Sequence, residues 1–153
     1  MKAFFFGLMA GVLLFPALAN ADEATDKAIH KDRQLITGNW TIVALTIYGN
    51  KVAEEDARKL SVVNGPGDVW SLFSEGKEVG KGTNLLDPTK QPKTIDFTLS
   101  KDGKDPLYRG IYELTEDSRK LCFAPPDKER PKDFTSEPGS EYILVIFERV
   151  QSK

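Results

Sequence analysis

The sequence predicts an all-β protein, an eight-stranded antiparallel up-and-down β-barrel with one short helix after the first strand. Three observations point to it. Short apolar runs recur about every ten residues, each bounded by turn residues and with almost no helix between them. One run, "TIDFTLS", alternates with period two, placing Ile95, Phe97 and Leu99 on one face and Asp96, Thr98 and Ser100 on the other. Gly80, Gly82 and Gly110 fall inside strand runs, where glycine permits the sharp coiling that closure requires. Closure also removes sheet edges. A two-layer antiparallel sandwich built from the same strands is the alternative architecture.

The elements follow in chain order. Trp40 to Tyr48 is rich in Ile, Val, Thr and Tyr, a strand composition, and Gly49-Asn50 ends it. "AEEDARKL" holds good helix formers and an Ala57/Leu60 spacing, which gives the short helix. "LSVV" ends at Asn64-Gly65-Pro66-Gly67, "DVWSLF" at Ser74-Glu75-Gly76-Lys77, and "EVGKGTNLL" at Asp87-Pro88. "TIDFTLS" turns at Asp102-Gly103, and "LYRGIYELT" turns through Glu116-Asp117-Ser118 into "KLCFA". "EYILVIFERV" is the last strand. Facing parity is open in "TIVALTI" and "YILVIF", where both faces are apolar.

The N-terminus, "MKAFFFGLMAGVLLFPALANA", reads as a signal peptide over residues 1–21. Lys2 is a minimal positive n-region, an apolar run reaches Pro16, and Ala19-Asn20-Ala21 supplies the small-x-small cleavage pattern. The run is short for a membrane span of about 20 apolar residues. Residues 22–34 form a charged N-terminal segment, and residues 35–150 form the barrel domain. The expected location is therefore the cell envelope, periplasmic or extracellular, with no transmembrane segment after cleavage. The whole chain carries a formal charge of −2. Such mild acidity argues against nucleic acid, whose phosphates call for clustered Lys and Arg. The single cysteine, Cys122, forbids an internal disulfide and falls in an apolar strand run, as a buried small hydrophobe would.

Two features at opposite ends belong together. Gly38-Asn39-Trp40 opens the first strand and Arg149 ends the last. A planar guanidinium stacked on an indole would seal the floor of a barrel. This pairing resembles the lipocalin-type barrel, in which the Trp plugs the closed end and the Arg lies across its ring. The segments "LITGNWTIV", "LLDPTKQPKTIDFT", "GIYEL" and "LCFAPPDKERPKDFTSEPGS", with the final apolar strand, are similar to the uncharacterised lipocalin-like domain family abundant in planctomycete bacteria. That family usually has a Gly-Trp pair close to "GTW", and Asn39 is a departure from it. The resemblance implies an exported or envelope-associated small barrel and carries no activity with it.

Catalytic chemistry finds little to work with. His30 is the only histidine and lies in the charged segment, so a Ser-His or Cys-His pair lacks a placed base. One His and one Cys cannot make a zinc site within one chain. Asp102 and Asp105 in "KDGKD" lack calcium-loop spacing and read as a solvated hairpin. Asn39-Trp40-Thr41 is formally a glycosylation sequon, but it overlaps the barrel floor. The expectation is a non-enzyme with no metal and no cofactor.

Two functions follow from the barrel. In the first it binds a small apolar or amphipathic ligand, lined by Ile95, Phe97 and Leu99, with Tyr108 and Tyr112 adding hydrogen bonds and Arg130, Phe134 and Tyr142 bordering the mouth. The long interval from Pro125 to Tyr142, stiffened by Pro125, Pro126, Pro131 and Pro138, would then cover or rim one end. In the second, side chains fill the interior and the protein is a packed structural or interaction module of the envelope.

Overall fold

The computed structural model describes residues 17–152. The expected signal peptide lies largely outside them; Ala17 to Ala21 belong to the first described helix. The barrel itself is present, eight long antiparallel strands in up-and-down order, closed by pairing of the first strand with the last. The topology is lipocalin-like.

A helix, α1 (Ala17–Ile36), leads into the barrel. Strand β1 (Gly38–Ile47) turns into the two-residue β2 (Asn50–Lys51), then the one-turn helix α2 (Glu54–Ala57). A meander follows: β3 (Leu60–Asn64), β4 (Val69–Ser74), β5 (Lys77–Asp87), β6 (Lys93–Thr98), β7 (Leu107–Leu114), β8 (Ser118–Ala124) and β9 (Ile143–Arg149). β9 returns to β1 with Trp40 opposite Arg149 and Ile47 opposite Ile143.

The parity that was open in β1 is resolved by a bulge. Register slips between Ile42 and Ala44, so Trp40 and Ile42 point inward below the bulge while Leu45 and Ile47, on the other parity, point inward above it. Gly82 marks the place where β5 leaves β6: a Cβ there would lie 1.9 Å from the Thr98 carbonyl oxygen. The Trp70 indole bridges this gap, donating to the carbonyls of Thr98 (3.1 Å) and Thr83 (3.3 Å).

The charged segment 22–34 is the body of α1. Alanine-rich composition and a Glu23–Lys27 pair one turn apart favour the helix. Most of it is exposed, and only its last turns meet the barrel, at β5 and β7. There Ile36 and Asp32 are buried. Gly38, at φ +126°, ends the run in a conformation other residues adopt only under strain, and a Cβ on it would lie 2.8 Å from Arg149 Nη1. No described helix is long and apolar enough to cross a membrane.

The long connection between β8 and β9 does not cover an end of the barrel. It runs down the outer wall as a strap. Pro131 is buried, and the outward side chains of Ile111 on β7 and Cys122 on β8 are almost inaccessible. Arg130 pins the strap, donating to the carbonyls of Gly110 (2.8 Å) and Ile95 (3.3 Å) and pairing with Asp96 (2.7 Å). Ser136 Oγ accepts from Gly49 N–H and donates to the Tyr142 carbonyl, which brings the strap back to the β1–β2 turn. Apolar residues on both faces of "GIYEL" and "KLCFA" are the reason: the outer face of β7 and β8 needs a cover of its own.

Candidate functional site

The interior divides into a closed floor and a hollow upper half. At the floor, Arg149 lies over the Trp40 ring with its Cζ 4.2 Å from the centroid. Its guanidinium donates to the carbonyls of Leu35, Thr37 and Glu116, while the Trp40 indole donates to the Ile36 carbonyl at 2.8 Å. The C-terminal carbonyls of α1 are thereby satisfied, and the helix end becomes part of the floor. Gly38, Trp40 and Arg149 thus converge at the closed end.

A layer of polar side chains lies above that floor. Asp32 of α1 accepts from Lys93 Nζ (2.8 Å) and Tyr112 Oη (2.7 Å). Arg33 donates to the side-chain and main-chain oxygens of Asn84, and Asn84 donates weakly to Asn64 Oδ1 at 3.4 Å. Burial, with the hydrogen bond to Asp32, raises the Tyr112 phenol well above its ordinary value. Arg119 completes the layer from β8. It is 5 % exposed, its Cζ lies 4.6 Å from the Phe147 ring centroid, and its Nε and Nη1 have no hydrogen-bond partner. Burial pushes its guanidinium down to about 10, so it is charged at neutral pH.

The upper half holds a cavity of about 320 Å³ with almost wholly apolar walls. Inward residues near the floor, such as Ile42, Val62, Leu121, Val145 and Phe147, are buried, whereas Leu45, Ile47, Leu60, Leu72, Leu99 and Ile143 point inward yet remain accessible. That gradient shows that the cavity opens at the end away from Trp40. One wall is an aromatic cluster around Phe97. Tyr108 stacks on it at 5.1 Å, while Phe123 (5.0 Å) and Trp70 (5.8 Å) meet it edge-on.

The residues singled out from the sequence separate into three places. Phe97, Leu99 and Tyr108 line the cavity. Ile95 lies deeper, against a smaller void of about 40 Å³, and Tyr112 belongs to the polar layer rather than to the cavity wall. Arg130 and Phe134 are on the outer wall, Phe134 beneath the Lys120 ammonium (5.4 Å), and Tyr142 lies just before β9, its carbonyl accepting from Tyr48 N–H at 3.1 Å. These last three do not border the cavity.

Asp32, Arg33 and Arg119 are missing from the sequence reading. Arg119 had a legible signal, since it shares a face with Leu121 and Phe123, and a cation on an apolar face calls for an explanation. Beginning the strand at Lys120 hid it. Comparison with family models, with curated proteins and with solved structures returned no match.

Proposed function

We propose that this chain is an exported binding protein that holds a small apolar or amphipathic molecule in the upper half of its barrel. The observation that carries the reading is the cavity of about 320 Å³, whose walls are almost entirely apolar. Small-molecule sites commonly span roughly 300–1,000 Å³ and bury most of the ligand against apolar and aromatic walls with few polar groups. Water in such a space finds few partners, and an apolar ligand displaces it favourably. Export rests on Lys2, the apolar run and the Ala19-Asn20-Ala21 pattern, and membership of the lipocalin-like family rests on the segments quoted above.

The test is native mass spectrometry of residues 22–153 from the natural source, paired with titration of a hydrophobic fluorescent probe. An added mass that disappears on denaturation, and probe binding that Leu72→Trp abolishes by filling the cavity, are the expected results. A bare polypeptide mass with no probe binding would overturn the reading and leave a packed interaction module.

A further inference from the structure

Arg119 is a buried cation without a counter-ion. A guanidinium presents five N–H donors in a rigid fork and does not lose its charge at neutral pH. Burying one uncompensated is costly. The Phe147 face offsets part of that cost. The one buried carboxylate among the described residues, Asp32, is already engaged by Lys93 and Tyr112. Asn64 of the same polar layer also has an unpartnered amide nitrogen, Nδ2. In the interior, the unmet polar groups are therefore donors, and what is missing is an acceptor.

The position of Arg119 says where that acceptor sits. The void of about 40 Å³ is lined by Arg119, Asn84 and Ile95 together with Val62, Trp70, Phe97, Leu121 and Phe147. Those last five also line the larger cavity above, so the two spaces adjoin, with only these side chains between them. A water molecule's share of liquid volume is about 30 Å³, so the void suits a small head group. Water there would leave the charge unneutralised, whereas two carboxylate oxygens match the fork and supply the charge.

We propose that the ligand is an amphipathic carboxylate of the fatty-acid class, its head group held by Arg119 at the foot of the cavity and its apolar tail filling the cavity toward the mouth. This rests on the binding function proposed above and names its ligand class. The polar end enters first, and the tail meets walls formed by Phe97, Leu72 and Ile143. Amines are excluded by the same charge.

The experiment is calorimetric titration of the delipidated wild-type protein with decanoate and with decanol, repeated on Arg119→Met. Decanoate binds the wild type at least about tenfold more tightly than decanol, because a two-oxygen ion pair with the guanidinium replaces a single hydrogen bond to a neutral hydroxyl. In Arg119→Met that preference disappears, decanoate losing more affinity than decanol. Equal affinity of the two for the wild type would overturn the carboxylate assignment and leave the apolar cavity intact as a site. Binding of neither would overturn both. The wild-type comparison decides the matter even if the variant fails to fold.

Discussion

Replacing Arg149 by leucine tests whether the floor is held by one side chain. Its guanidinium donates to three carbonyls, those of Leu35, Thr37 and Glu116, and covers the Trp40 ring at 4.2 Å. The Glu116 contact is solvent-exposed, and its loss costs about 0.5 kcal/mol or less once water replaces the donor. The Leu35 and Thr37 contacts are half-buried and involve a charged donor, about 1.5 kcal/mol each. Stacking on the indole adds about 1 kcal/mol. Arg149→Leu therefore destabilises the fold by about 3–5 kcal/mol, a large part of a typical total of 5–15 kcal/mol. Arg149→Lys recovers less than half, since an ammonium keeps the charge but neither the fork nor the flat face. Urea unfolding followed by far-ultraviolet circular dichroism measures this, with unchanged slope as the check on two-state behaviour. A loss below about 1 kcal/mol for Arg149→Leu, on the same scale of net hydrogen-bond contributions, would refute the account and show that Trp40 seals the floor by packing alone.

Three further outcomes are expected. Asp32→Ala strands the buried Tyr112 hydroxyl and frees the half-exposed Lys93, costing about 2–4 kcal/mol in urea, and adding Tyr112→Phe recovers part of it. Stability changes little from neutral pH to about pH 9 and falls between about pH 9 and pH 10; higher still, the Arg119 guanidinium, which burial lowers to about 10, opposes the fall by losing its proton in the folded chain first. The cause of the fall is that Tyr112 and Cys122, whose thiol burial pushes up to about 11, ionise in the unfolded chain before they do in the folded one. Cys122 alone contributes about 2–3 kcal/mol to it, and Cys122→Ala with Tyr112→Phe removes the fall, as pH-dependent urea midpoints will show. The Cys122 thiol, buried under the strap and directed at the Thr135 carbonyl (3.4 Å), resists an aromatic disulfide reagent in the folded protein. Arg130→Ala unpins the strap and raises that reaction rate at least about tenfold through local opening while leaving probe binding in the cavity unchanged; an unchanged rate would show that the strap is held by Pro131 instead.

The barrel was legible because its signals are local and repeated. The alternation of Ile95, Phe97 and Leu99 and the turn residues between runs mark β6 and its neighbours without reference to the rest of the chain. Trp40 and Arg149 were legible as a pair because only a closed sheet brings the ends of β1 and β9 together. Helix α1 was not, because its apolar stripe is too short to show a period: its contact with the barrel is confined to the last turns around Asp32 and Ile36. The strap was misplaced over the mouth because its prolines disclose stiffness but not direction. The better clue was on the strands beneath it, where Ile111 and Cys122 face outward and need covering. Arg119 went unread because a charged residue beside a turn is ordinarily solvated, and its parity with Leu121 and Phe123 shows only when the strand is begun at Ser118.

Closure through β9 has a kinetic consequence. This strand is hydrogen-bonded along both edges, to β8 and to β1, and it is the last of the barrel strands in chain order. Until it docks, β1 and β8 each present a raw edge, and the pairing of Trp40 with Arg149 spans nearly the whole domain. Such long-range pairing slows folding to the millisecond-to-second range of non-local β topologies. A chain shortened before Ile143 would expose both edges at once, the geometry in which strands recruit one another into aggregates. The last strand is the latch of the barrel, and its absence converts a closed surface into two sticky ones.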